Sequence, residues 1–314
     1  MDEPISGDSR ERSSTTLALP STAAYYPPMI TSQPKSVAIR GHAVDVDGRT
    51  VFYREARPRS EPQGDMILIH GWIGTSSWMF RYLLPELGRR YRVLALDLPG
   101  YGRSEVAAWR PSIFEYGEFI SRFTERLDVG RFHLLGISVG GTIALHFAHK
   151  YPEHVRKLVL QGPVYRGRDL PRRLHFIYRT LGWFPLADLV PKVPLKWWFF
   201  IRRLGLGRDT SGLSPDDRRR LASDILRVPN QTLINVGREL IGIDQSEEAR
   251  NICVPTLIVD GADARLMPAS AAQHLHSLIP GSRLLIVPDC GHNLALEKPQ
   301  ELLGTLLPFL EDGS

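Results

Sequence analysis

The residues best suited to chemistry stand in the run His133-Leu134-Leu135-Gly136-Ile137-Ser138-Val139-Gly140-Gly141-Thr142. An apolar stretch ends in a serine that has glycine two residues before it and two after it, and an amphipathic pattern (Ile143, Leu145, Phe147) follows. This spacing predicts a strand, a sharp turn centred on Ser138, and a helix. A serine on such a turn has a strained backbone, and glycines at 136 and 140 remove the Cβ atoms that would otherwise collide. The turn lifts the hydroxyl clear of the strand and over the first turn of the helix, where free N–H groups favour a developing oxyanion. The chemistry this suits is nucleophilic attack by serine, which needs a base to take the hydroxyl proton.

The elements that must position such a serine are legible around it. Residues 1 to about 35 are rich in Ser, Thr, Pro and charge without apolar periodicity, and read as a flexible tail. Val37 to Val46 and Val51 to Glu55 alternate about Asp47-Gly48, a dipeptide suited to a two-residue hairpin turn. From Met66 the pattern becomes short, continuously apolar strands separated by helical segments, as in a parallel sheet covered on both faces. Strands are expected near Met66–Ile69, Tyr91–Leu96, Phe132–Ile137 and Val155–Leu160, with helices over about Ser77–Gly88 and Pro111–Leu127. From Gly162 to about Asn251 only helical patterns occur, including a start at Ser214-Pro215-Asp216-Asp217. Alternation then resumes with Pro255–Val259, a helix from about Pro268, Arg283–Val287 and a last helix over about Pro299–Leu310. The division is a tail (1–35), an α/β core in two parts (36–162 and 252–314) and a helical cap inserted between them (163–251).

Composition is that of an ordinary globular chain: 314 residues, 43% apolar, net charge +5. The excess of 39 Lys and Arg over 34 Asp and Glu is spread along the chain, so solvated basic faces account for it and no nucleic-acid partner is expected. No stretch approaches a membrane span and no secretory leader pattern opens the sequence, so the default compartment is the cytoplasm. Cys253 and Cys290 flank successive predicted strands at opposite ends, which makes two free thiols the expectation. No His, Cys or acid cluster has metal-ligand spacing, and no cofactor is expected.

Together these motifs resemble the α/β-hydrolase superfamily, in its capped esterase, lipase and epoxide-hydrolase-like branch, over about residues 36–162 and 252–311. The resemblance implies an eight-stranded, mostly parallel sheet with helices on both faces and an inserted cap. It implies that His70-Gly71-Trp72 follows the third strand and gives an oxyanion-hole amide from Trp72, with Val139 giving the second. Asp97-Leu98-Pro99-Gly100-Tyr101-Gly102-Arg103-Ser104 matches the structural turn after the fourth strand. Cys290-Gly291-His292-Asn293, followed by Glu297 and Pro299, matches the loop after the last strand, which makes His292 the catalytic base. His70 reads as structural, and His274 and His276 as helix surface or packing residues.

The third triad member departs from the family pattern. The family acid commonly stands three residues beyond a glycine and four before a proline, and in Asp260-Gly261-Ala262-Asp263-Ala264-Arg265-Leu266-Met267-Pro268 both counts reach Ala264. Asp263 stands one position early, a Cα displacement of about 3.8 Å. An alternative family site, after the sixth strand, falls near Gln161-Gly162, where there is no carboxylate. Three readings stay open: Asp263 orients His292; another carboxylate, such as Asp260 or a cap acid, does so; or no acid is present.

With a working triad, His292 takes the proton as Ser138 attacks a carbonyl, and water then cleaves the acyl-enzyme. The expected substrate is a small to medium apolar carboxylic ester, or a related thioester, lactone or amide. The alternative is a ligand-binding or catalytically impaired relative. Serine at the turn argues against the epoxide-hydrolase and dehalogenase chemistries, which use aspartate there. The cap is unusually aromatic, and Trp183 and Trp197, with Trp72, are the candidate substrate-binding side chains, most of the other cap aromatics reading as core. Lys196 to Arg203 (Lys-Trp-Trp-Phe-Phe-Ile-Arg-Arg) also invites a membrane-surface reading.

Overall fold

Asp47 and Gly48 both adopt positive φ, 54° and 74°, and join antiparallel strands β1 (Val37–Val46) and β2 (Arg49–Pro58) in a tight hairpin. The computed structural model describes residues 37–106, 111–181 and 228–312, together with residues 215, 216, 219 and 223. The tail, Trp183, Trp197, the stretch Lys196 to Arg203 and most of the segment opening at Ser214 lie outside the described residues.

The remaining strands are β3 (Asp65–Ile69), β4 (Arg92–Leu96), β5 (Phe132–Ile137), β6 (Val155–Gln161), β7 (Thr256–Gly261) and β8 (Arg283–Val287). They form one eight-stranded sheet in the order β1-β2-β4-β3-β5-β6-β7-β8, antiparallel at β1-β2 and β2-β4 and parallel from β4 to β8. Because side chains alternate across a strand, each strand feeds two cores. Ile67, Leu94 and Leu134 pack on one face with Phe119 and Ile143, whereas Met66, Val93 and Leu135 pack on the other with Leu83 and Leu302. Strands buried on both faces are why the sequence reads as continuous apolar runs.

On the first face lie α3 (Ile113–Arg126) and α4 (Val139–Lys150); α1 (Ser76–Met79) and α2 (Leu83–Leu87) lie on the second. Two helix boundaries differ from expectation. The helix expected over Ser77–Gly88 is broken at Phe80–Tyr82, which places Pro85 in the first turn of α2, where its missing N–H costs nothing, rather than inside a longer helix. Pro111 precedes α3, whose cap is Ser112: its hydroxyl accepts from the Glu115 amide at 3.1 Å while Glu115 accepts from the Ser112 amide at 2.7 Å.

Between β6 and β7 the described residues are helical and contain no named strand: α5 (Arg172–Leu181), α6 (Asn230–Gly242) and α7 (Ser246–Arg250). The outgoing and returning ends of this insertion are fastened together. Gly167 N donates to Ile243 O at 2.7 Å, Gln245 N donates to Tyr165 O at 2.8 Å, and Arg166 bridges to Asp244. After β7 come α8 (Ala269–Leu278), β8, the short α9 (Leu294–Glu297) and α10 (Pro299–Glu311). Among the described residues no helix is long and apolar enough to cross a membrane.

Candidate active site

The parallel register brings the carboxyl ends of the central strands to one edge: Ile69 is level with Leu96 and Gly136, and Ile137 with Gln161. Loops at this edge carry Trp72, Ser138, Gly162, Asp263 and His292. Ser138 has φ 54° and ψ −117°, a strained conformation for a residue with a side chain, and it is the residue before α4. The flanking glycines are sterically required. A Cβ on Gly136 would lie 2.2 Å from Gly140 O, and one on Gly140 would lie 2.2 Å from Ile69 O. Ser138 N donates to Gln161 O at 2.8 Å, which extends the β5-β6 ladder through the turn. Val139 opens α4, so its amide belongs to the free N-terminal set.

The loop after β3 is pressed against this turn, since a Cβ on Gly71 would stand 3.2 Å from both Ser138 Cβ and Ile137 O. His70 fixes that loop. Its Nε2 lies 3.0 Å from Leu98 N, an obligate donor, so Nε2 accepts and Nδ1 carries the proton to Gly71 O at 2.8 Å. Burial lowers its pKa, in keeping with this neutral ring. Asp97 plays the matching part in the next loop: one carboxylate oxygen accepts from Ser76 N at 2.7 Å and the other from Arg103 N at 3.0 Å. The Asp97–Ser104 turn is structural, as read from sequence, and Gly102, at φ 55°, has no room for a Cβ beside the Asp97 carboxylate.

His292 follows β8 and is buried, with neither ring nitrogen hydrogen-bonded. Desolvation holds its pKa down to about 4, so the ring is a neutral base at pH 7. Its main chain, by contrast, is clamped. Glu297 accepts from Gly291 N at 3.0 Å and from Asn293 N at 3.1 Å, one oxygen for each amide flanking His292, and Gln161 Nε2 donates to His292 O at 3.1 Å. Gln161 thus holds Ser138 through its carbonyl and His292 through its side chain. Burial raises the Glu297 pKa, opposed by the two amide bonds.

Asp263, the acid favoured by sequence, has an exposed side chain, and its amide donates to Cys290 O at 2.9 Å. No hydrogen bond joins it to His292. Ala264, at the family position, is buried. Asp260, at the end of β7, is also buried, and its Oδ1 accepts from Gly261 N at 2.8 Å. A Cβ built on Gly162, at the end of β6, would meet His292 Cε1 at 2.8 Å, His292 Nδ1 at 3.0 Å and Asp260 Oδ1 at 3.4 Å. The Nδ1 edge of His292 and the Asp260 carboxylate therefore face the same point.

Ser138 lines a narrow pocket, with room for about one water, bounded by Trp72, Val139, Val164, Leu170, Leu174 and Tyr178, with α6 closing one wall. Trp72 Nε1 donates to Leu233 O at 3.1 Å, and its ring stands 5.4 Å from that of Tyr178, so body and insertion share this wall. Gly237 makes room for Tyr178, whose ring carbon lies 2.3 Å from where a Cβ would stand. No Lys or Arg lines the cleft among the described residues. Among those residues no group of three or more His, Cys, Asp and Glu side chains could hold a metal ion. Of the candidate substrate-binding side chains, Trp72 lines this space, and Trp183 and Trp197 lie outside the described residues. Glu297 belongs to the sequence motif around His292, but its part as a clamp, like that of Gln161, is visible only in the structure.

Comparison with known proteins identifies the fold. A family model described as the alpha/beta hydrolase fold matches residues 66–299. A 2-hydroxy-6-oxo-2,4-heptadienoate hydrolase of Pseudomonas putida is 29% identical over 78% of the chain and 88% of the relative. A pimeloyl-[acyl-carrier protein] methyl ester esterase of Nitrosomonas europaea is 29% identical over 76% of the chain and 92% of the relative. Among solved structures, a membrane phospholipase A described as a bacterial virulence factor superposes with TM-score 0.71 at 26% identity, covering 87% of this chain and 86% of that one.

Proposed function

The chain belongs to the α/β-hydrolase family, and from that premise we propose that it is a serine hydrolase that cleaves small to medium apolar carboxylic esters through an acyl-enzyme on Ser138. The observation that carries this reading is the strained Ser138 at the head of α4, opening into an apolar cleft. Neutral His292 takes the Ser138 hydroxyl proton as the oxygen attacks the carbonyl. The amides of Trp72 and Val139 receive the oxyanion, and His292 returns the proton to the leaving alcohol. A water activated by the same ring then releases the acid. Nucleophile and base are often loosely spaced without substrate, which accommodates the unbonded His292 ring. The insertion between β6 and β7 acts as a cap that supplies the acyl-binding wall through Leu174, Tyr178 and Leu240, with Trp183 and Trp197 as further candidate contributors.

Related hydrolases act on small molecules, and two of them are named for a methyl ester and a dienoate. The cleft favours the neutral ester, since a carboxylate would be desolvated there with no cation beside it among the described residues. A second reading, a ligand-binding relative with slow or no turnover, is favoured by Ala264 at the family acid position. Fluorophosphonate labelling followed by intact mass separates the two. The hydrolase reading predicts one adduct per chain, absent in Ser138→Ala, and hydrolysis of p-nitrophenyl butyrate in preference to an ester bearing an acyl-chain carboxylate. An unlabelled chain would favour the binder.

A further inference from the structure

We propose that Asp260, at the end of β7, orients His292 in place of the acid missing at Ala264. The inference deepens the serine-hydrolase reading and rests on it. A triad acid must reach Nδ1 of the histidine and be held there by its surroundings. Asp260 is held beside the ring, though no hydrogen bond joins it to Nδ1 in this structure. Its Oδ1 and His292 Nδ1 lie within 3.4 Å of the single point where Gly162 would carry a Cβ, and the Gly261 amide anchors the same oxygen.

Gly162 keeps that shared space open. It has φ 51°, and any side chain there would enter the space between ring and carboxylate, 2.8 Å from His292 Cε1. Glycine at this strand end keeps open the path the pair needs. The other nearby acids are otherwise placed. Both Glu297 oxygens are committed to the amides flanking His292, and Asp263 is exposed. In the family pattern the carboxylate arrives from the loop beyond β7. Here it comes from the strand itself, and the loop position is filled by a methyl group. Asp260 does not take the proton; it fixes Nδ1–H toward itself, leaving Nε2 as the acceptor for Ser138, and stabilises the imidazolium formed on attack. It is a positioning residue.

The test is the rate of fluorophosphonate labelling across pH for the unmodified chain, Asp260→Asn, Asp263→Asn, Ala264→Asp and the double variant Asp260→Asn/Ala264→Asp. The expected result is a loss of about 10³–10⁴ in Asp260→Asn, with the pH midpoint for labelling moved lower because the imidazolium has lost its counter-charge. At least tenfold should return in the double variant, and Asp263→Asn and Ala264→Asp alone should stay within about threefold of the unmodified rate. A folded Asp260→Asn that labels at the unmodified rate, a loss confined to Asp263→Asn, or a hundredfold gain in Ala264→Asp alone would each overturn it. If Asp260→Asn fails to fold, the Ala264→Asp arm decides, since it leaves Asp260 in place. Failure of the unmodified chain to label in a Ser138-dependent way would instead bring down the hydrolase reading with it.

Discussion

Ser138 and His292 stand on one edge of the same sheet but are held by different means. The serine is positioned mainly by backbone: a strand ladder on one side, a helix on the other, and two glycines whose Cβ positions are already filled by carbonyl oxygens of Gly140 and Ile69, with the Thr142 hydroxyl adding a bond to Ser138 O at 3.3 Å. The histidine is positioned by side chains. Glu297 and Gln161 fix its main chain and Asp260 faces its ring, each arriving from a different element. A backbone-built half has few ways to relax and should fail abruptly when disturbed. A half built from side chains should fail by degrees, one bond at a time.

The largest effect should come from the serine half. Gly140→Ala forces a methyl group against Ile69 O and shifts the α4 amides. It should cut the labelling rate by about 10²–10³ and lower stability by about 1–3 kcal/mol, read by urea unfolding; near-normal labelling would erase the contrast between the halves. Next, Glu297→Gln offers an NH₂ to one of two amide donors, and should cost about 1–3 kcal/mol, lowering the unfolding midpoint accordingly. A labelling rate about ten to a hundred times lower would place the effect on the histidine loop. Gln161→Leu removes the neutral bond to His292 O, worth about 0.5–1.5 kcal/mol, so esterase kcat should drop only a few-fold.

The last effect concerns pH. Burial holds both His292 and His133 down to about 4 in the folded chain, against about 6.5 when unfolded. Between those values the unfolded state binds more protons, so stability is greatest above about pH 6.5 and falls on acidification toward pH 4, with a slope of at most about 1.4 kcal/mol per pH unit for each ring. Denaturation midpoints from pH 7 to pH 4.5 measure this slope. His133→Gln should flatten it without altering labelling at pH 7, because His133 lies at the far end of β5 from Ser138.

The same contrast explains what could be read before the structure. Backbone-built features leave marks in sequence: Asp47-Gly48 at a turn needing two positive φ values, Gly136 and Gly140 around Ser138, and apolar runs for strands buried on both faces. The eight-stranded sheet follows from these. The break between α1 and α2 was missed because Pro85 is tolerated in a first turn, a fact that depends on where the turn begins. Side-chain anchors leave no such mark. The sequence offers Asp260 only as one of several acids that could orient His292, because its nearness to that ring depends on how β6, β7 and the loop after β8 come together at one edge. The family spacing pointed to Ala264 and Asp263 because spacing along the chain is all that sequence offers.

The most direct test of the account is to catch the intermediate. Mixing the protein with p-nitrophenyl butyrate, quenching in acid within the first turnover and digesting for peptide mass should yield a butyryl group on the Ser138 peptide, with an initial burst of p-nitrophenol matching the enzyme concentration. Turnover with no acyl group on Ser138, or with the group on another residue, would contradict it.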